Sequence, residues 1–286
     1  MLVSKQQKKI KKSKLRHNEY YDMQNTFDNL YKESKDNKAF ADLMKIISSE
    51  ENINLAYRNI KSNAGSKTHG VDNLTIKDIE KISKEDFVRT VQKKMSWYSP
   101  KAVRRVEIPK PNGKTRPLGI PAMWDRIVQQ CILQVLEPIC EAKFYKRSHG
   151  FRPNRSAEHA VADCHRMIML QKLYFVVDID VKSFFDEVNH AKLIKQMWEM
   201  GIRDKKLLCI IKKMLKAAII LPNGSKIQPN KGTPQGGILS PLLSNIVLNE
   251  LDWWIASQWE NHPTKYPYKL SINKAGVVNQ AHRYEH

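Results

Sequence analysis

The stretch from Tyr174 to His190 constrains the fold more than any other. Its first four residues, Tyr174-Phe-Val-Val177, are aromatic and β-branched and too few for a helix, which predicts a short buried strand. That strand runs into Asp178 and Asp180, and a two-residue spacing puts both carboxylates on one face of an extended segment. An unpaired carboxylate at the end of a core strand is costly. Two arrangements relieve the cost. One is a hard divalent cation such as Mg²⁺, which takes oxygen ligands and works with phosphate substrates. The other is a strand end that reaches water and pairs with Lys or Arg. The stretch alone leaves both open.

The charge balance narrows the partners. Forty-nine Lys and Arg against 29 Asp and Glu give +20 over 286 residues, an excess that points to a polyanion, either nucleic acid or an acidic membrane surface. No apolar run approaches the length of a membrane span, and the basic start from Met1 to Arg16 has no apolar stretch behind it, so it is no secretory signal. Nucleic acid is the expectation. The cysteines at 131, 140, 164 and 209 are too far apart for a zinc site or redox pair; three lie in apolar helical patterns and read as core. The histidines show no metal-ligand spacing, and a reducing, intracellular setting fits.

Along the chain, the leader with Lys5, Lys8, Lys9, Lys11, Lys12, Lys14 and Arg16 has little to bury; it is either a solvated end or an arm for phosphates. Apolar residues at helical spacing follow: Met23, Phe27, Leu30 and Tyr31, then Phe40, Leu43, Met44 and Ile47. Ser49 opens a third helix that stops near Gly65, and the pairs Thr75/Asp78 and Ser83/Asp86 read as capping boxes of two more. From Val103 the pattern alternates through Pro109, turns at Pro111-Asn-Gly113 and returns from Lys114 to Ile120: a hairpin carrying Arg104, Arg105, Lys110, Lys114 and Arg116, which is either a soluble charged edge or, as the crowding of cations at its tip favours, a grip for phosphate. A long helix from Met123 to Ile139, perturbed at Pro138, comes next. A loop with Arg152 and Arg155 leads to a helix capped by Ser156. Beyond the organising stretch, Asn189 caps a helix stopped by Gly201, a further helix spans about Asp204 to Lys216, and Ile219 to Ile227 reads as a second hairpin. The loop Lys231-Gly-Thr-Pro-Gln-Gly-Gly237 then opens a helix from about Ser240 to Trp259. Its glycines either make a tight turn or let backbone approach a phosphate or base closely.

Six motifs appear in order: Gly70-Val-Asp72, Arg104-Arg-Val-Glu-Ile-Pro-Lys-Pro111, Arg116-Pro-Leu-Gly-Ile-Pro121, Gly150-Phe-Arg-Pro153, Asp180-Val-Lys-Ser-Phe-Phe-Asp186 and Gly232-Thr-Pro-Gln-Gly-Gly237. Together they resemble the reverse transcriptases of bacterial group II introns, the intron-encoded maturases, over roughly Asn54 to Tyr284. The resemblance implies an α+β right-hand polymerase fold. Residues 1–98 would be the leader and a helical N-terminal extension, 99–172 the fingers, and 173–286 an incomplete palm with an antiparallel sheet. It implies RNA-directed DNA polymerisation with Mg²⁺, an RNA template, a DNA primer and deoxynucleoside triphosphates. It also implies intron RNA as a partner in splicing and mobility, a cytoplasmic bacterial location and no membrane.

By the same resemblance Asp180 is the first-motif metal carboxylate, because Phe185 follows it by the family's five positions, and Asp178 is a supporting residue. The Val181 carbonyl would be a second metal oxygen. Lys110 and Arg116 would hold the triphosphate, Phe185 would lie under the sugar and exclude a 2′-hydroxyl, and Gln235 would sit beside the nascent base pair. Arg104 and Arg152 would face template or nucleotide phosphates. One departure stands out. The family's aromatic-Ala-Asp-Asp motif is approached by Ala281-His-Arg-Tyr284, but Glu285-His286 follow and no Asp-Asp pair occurs. A piece of a longer protein is therefore expected, one that binds nucleic acid without polymerising; apolar surface left without a thumb allows a homodimer. Two rivals remain, an RNA-dependent RNA polymerase and an RNA-binding splicing factor on a non-catalytic polymerase fold.

Overall fold

Helix boundaries follow the capping residues. The computed structural model describes residues 15–109, 111, 113 and 115–259, the last by its backbone alone. The helical module comprises α1 (His17–Tyr20), α2 (Gln24–Lys35), α3 (Leu43–Ile47), α4 (Glu50–Ser62), α5 (Ile76–Ile79) and α6 (Lys84–Ser96). Ser49 accepts from the Asn52 amide to start α4, Thr75 and Asp78 form the capping box of α5, and Ser83 accepts from the Asp86 amide to start α6. Two strands follow, β1 (Val103–Pro109) and β2 (Thr115–Ile120), paired antiparallel with Arg104 opposite Ile120 and Pro109 opposite Thr115.

The helix α7 (Met123–Glu141) is apolar around most of its circumference, a pattern that needs packing on several sides. It lies against α2, α3, α4 and α6, and Ile127, Ile132, Leu136 and Ile139 are fully buried. The polar groups buried with them are satisfied. Asn52 donates to the Ile47 and Cys131 carbonyls, Gln134 donates back to the Asn52 side chain at 2.6 Å, and Ser34 donates to the Ile139 carbonyl at 2.7 Å. The helix runs through Pro138 to Glu141. Cys131 and Cys140 are core residues, but Cys164 and Cys209 are exposed, so the core takes two cysteines and not three.

Next come α8 (Ala157–Met169), α9 (Phe184–Glu187), α10 (His190–Glu199), α11 (Lys205–Leu215), β3 (Ile219–Ile220), β4 (Lys226–Ile227) and α12 (Ser240–Trp259). Ser156, Asn189 and Asp204 cap α8, α10 and α11 as their sequence positions predict. Asp204 also accepts from the Met44 amide at 2.9 Å, which ties α11 to α3. The two hairpins merge into one mixed sheet, ordered β2-β1-β3-β4, in which β1 and β3 run parallel with Val103 opposite Ile219. The class is α+β, as expected.

The predicted strand Tyr174–Val177 is a correction. The segment carries no strand pairing, and Phe175 is 98% and Val177 82% exposed. An apolar strand is buried only when neighbours cover it and complete its hydrogen bonds, and no described residue does either. The preceding α8 likewise buries none of its residues. The antiparallel palm sheet is therefore not formed among the described residues; the sheet that is present belongs to the two hairpins.

Candidate functional site

The loop 231–237 is the centre of the site because it is fastened on two sides. On one side, the Gly232 amide donates to the Val188 carbonyl and the Thr233 amide to the Phe185 carbonyl, both at 2.7 Å, and His190 Nε2 donates to the Gly232 carbonyl at 2.7 Å. Gly232 adopts φ +87°, and a Cβ there would lie 2.9 Å from the Asp186 carbonyl oxygen. Only glycine fits that approach. On the other side, the Gly119 amide donates to the Gln235 carbonyl at 2.5 Å, and Arg116 Nε donates to Gln235 Oε1 at 3.2 Å. Gln129, from α7, accepts the Ile238 amide at 2.9 Å, and Ser240 donates to the Pro234 carbonyl. The loop thus clasps hairpin β1–β2 to the turn at α9. A cleft of about 90 Å³ between them is lined by Arg105, Asp186, Lys231 and Gln235 among others.

The loop's glycines were open to two readings, a tight turn or backbone approach to a ligand. The approach that the structure displays is to protein backbone: Gly232 to Asp186, and Gly236, at φ +105°, to Gly119. Gly70 acts the same way in its motif, since a Cβ there would meet the Ala122 Cα at 2.7 Å.

Of the residues singled out from sequence, Arg116 and Gln235 are brought together. Phe185 joins them through its carbonyl. Its half-buried ring lies edge-on to Phe184 at 5.9 Å and to Phe151 at 6.4 Å. Phe151 is 70% exposed and held at φ +52°, a left-handed conformation that a non-glycine residue rarely adopts. Asp178, Asp180 and Val181 lie in an exposed segment without regular secondary structure, and neither carboxylate pairs with a Lys or Arg among the described residues. Lys110 lies outside the described residues, as do the leader up to position 14 and Ala281–His286.

Arg104 and Arg152 are turned to structural partners. Arg104 donates to the His69 carbonyl at 2.7 Å. Arg152 is buried, forms a two-pronged bridge to Glu141, donates to the Tyr145 and Ser148 carbonyls, and covers the Phe144 ring at 5.3 Å. These contacts turn the Arg152 guanidinium toward Glu141 and the loop that presents Phe151, where a role toward phosphates was expected. Sequence reasoning missed His190 as a fastener. The only sequence signal was its place one residue after the helix cap Asn189.

The donor chemistry at Asp180 and Val181, carboxylate and carbonyl oxygen, suits a hard cation. Among the described residues, no three acidic, histidine or cysteine side chains converge around Asp180 or elsewhere.

Residues 108–272, more than half of the chain, match the family "Reverse transcriptase (RNA-dependent DNA polymerase)". The chain therefore belongs to the reverse transcriptase family, and its similarities place it among the group II intron-encoded members. It is 38% identical over 225 residues to "Protein YkfC" of Escherichia coli (strain K12), covering 76% of this chain and 58% of that one. It is 34% identical over 263 residues to "Group II intron-encoded protein LtrA" of Lactococcus lactis subsp. cremoris, covering 91% and 43%. To the "Putative COX1/OXI3 intron 2 protein" of Saccharomyces cerevisiae it is 33% identical over 219 residues, covering 77% and 25%. The chain spans between a quarter and three fifths of the length of these curated relatives.

Proposed function

We propose that the chain carries the fingers and part of the palm of an RNA-directed DNA polymerase of a group II intron, which also binds intron RNA as a maturase in splicing and mobility. In this reading residues 1–98 are the leader and N-terminal extension, 99–172 the fingers and 173–286 the partial palm. The observation that carries it is the double fastening of the loop 231–237. Arg116 on the hairpin, Gln235 in the loop and Phe185 on α9 are linked through one set of hydrogen bonds.

Each residue then has a task. Arg116, with Lys110, binds the triphosphate of a deoxynucleotide; a guanidinium gives phosphate a forked, fixed partner. Phe185 blocks the volume a 2′-hydroxyl would need, and Gln235 orients the new base pair against an RNA template and DNA primer. Asp180 and the Val181 carbonyl would hold Mg²⁺, which when bound activates the primer hydroxyl and stabilises the leaving pyrophosphate. A cytoplasmic location and a homodimer belong to the same proposal; among the described residues no helix is long and apolar enough to cross a membrane.

Primer extension on an RNA template with Mg²⁺ tests this, using a form that carries the family's second carboxylate motif. Asp180→Ala in that form abolishes extension. Extension that survives the substitution would refute the assignment. No extension in any form, with tight intron-RNA binding, would make the protein a splicing factor instead.

A further inference from the structure

The junction between the helical module and the hairpin carries a feature that none of the polymerase motifs uses. Trp97, at the C-terminal cap of α6, is 89% exposed, the most exposed tryptophan among the described residues. A single exposed apolar residue needs no explanation in general. This one is mounted rigidly. Met95 is 2% and Tyr98 4% exposed, so the backbone on either side is anchored in the core. The Tyr98 hydroxyl donates to the buried Asp125 at 2.8 Å, and the Tyr98 carbonyl accepts from Lys213 Nζ at 2.9 Å. The indole itself has no hydrogen bond, ring contact or cation over it among the described residues.

The surroundings are cationic. Lys93 and Lys94 precede Trp97 by four and three residues, Lys101 follows by four, and Lys213 reaches the neighbouring carbonyl from α11. Two acids face this junction, and both are consumed. Asp125 is buried under Tyr98 and the Lys101 amide, and Asp72, its side chain 4% exposed, pairs with Lys101 at 3.4 Å. Lys93 is exposed and carries no ion pair among the described residues. What reaches solvent is a fixed aromatic face among positive charges.

We propose that Trp97 is a stacking platform for an unpaired base of single-stranded RNA, with the unpaired Lys93 beside it, and Lys213 behind the Tyr98 carbonyl, for the flanking phosphates. Bases stack on aromatic faces whatever their sequence, and a basic rim tracks the backbone. A rigid platform loses little freedom when a base settles on it. The site rests on the reading of the chain as an RNA binder and adds to it a particular contact, outside the polymerase motifs.

The test is a titration of the 286-residue chain against a labelled single-stranded RNA of mixed sequence and against the same sequence as a duplex. Trp97→Ala weakens single-strand binding about tenfold, a typical loss of one stacked base, and leaves duplex binding unchanged. Trp97→Phe restores most of the affinity. Trp97→Lys, which adds charge but no ring, remains weak. The dependence on salt is the same for Trp97→Ala as for the unmutated chain, because no phosphate contact is lost, whereas Lys93→Gln flattens it. Unchanged single-strand binding in Trp97→Ala, or binding strengthened by Trp97→Lys, overturns the proposal. Equal losses for Ala and Phe overturn it too, since packing and not stacking would then be at stake. If the unmutated chain binds neither probe, the RNA-binding reading falls and the platform with it.

Discussion

Replacing Gly232 by Ala isolates the clasp that holds the site together. Two costs add. The first is conformational: at φ +87° an L-residue with a Cβ is disfavoured by about 1–2 kcal/mol. The second is steric. The new Cβ would lie 2.9 Å from the Asp186 carbonyl oxygen and 3.1 Å from both the Asp186 Cα and the Phe185 carbonyl oxygen, all backbone atoms that cannot rotate away. Relief requires the loop to move and weakens the three 2.7 Å hydrogen bonds that bind it to Phe185, Val188 and His190. Each is worth about 1 kcal/mol net, so losing one or two adds about 1–2 kcal/mol. The expected total is about 2–4 kcal/mol. Gly224 supplies the control, because it sits at φ +83° in the β3–β4 turn with nothing within 4 Å of its missing Cβ. Gly224→Ala should therefore show the conformational cost alone, about 1–2 kcal/mol. Urea unfolding of both variants compares the two, and the Thr233 amide should lose hydrogen-exchange protection only in Gly232→Ala. If the two variants lose equal stability, the close approach of the loop to α9 contributes nothing, and the site's architecture is misread.

Other expectations follow from the same contacts. Glu137 on α7 is pushed up to about 7 by burial and by the neighbouring Glu141. Its folded form holds a proton that the unfolded chain releases near 4.5, so stability falls as pH rises from about 4.5 to about 7, by at most about 3 kcal/mol. Melting temperatures at pH 5 and pH 8 should differ less in Glu137→Gln than in the unmutated chain; an equal drop in both would assign the effect elsewhere. Arg152→Ala leaves the half-buried Glu141 without its partner and should cost about 2–4 kcal/mol, with Arg152→Lys recovering little because an ammonium cannot replace the forked contacts. A stable Arg152→Ala that bound RNA more weakly would return Arg152 to the phosphate role. Phe185→Ala, in a form that polymerises, should admit ribonucleotides; unchanged sugar discrimination would remove Phe185 from the gate.

What sequence made legible was local. Ser49, Thr75, Ser83, Ser156, Asn189 and Asp204 announce helix starts because a cap is a bond between residues two or three apart. The hairpins at Val103 and Ile219 were equally plain from alternation and turn residues. Their fusion through β1 and β3 was not, since nothing in either hairpin specifies its neighbour. Tyr174–Val177 carries the composition of a strand, but composition cannot provide the partner a strand requires. Arg152 read as a phosphate ligand because sequence shows its charge and hides Glu141, eleven residues away, which takes that charge. The pairing of Arg116 with Gln235 lay within reach only through family resemblance, because the two are 119 positions apart.

The parallel bridge between β1 and β3 also sets an order of events during synthesis. Val103 and Ile219 are roughly 115 residues apart, so at ordinary elongation rates β1 waits on the order of 10 s for its partner to be made. During that interval the hairpin β1–β2 exposes an open edge, the kind of surface that recruits other chains. Arg104 and Arg105 stand at the start of that edge strand, and like charges on nascent neighbours repel one another. The basic residues of the hairpin thereby guard the growing chain while its edge is still open.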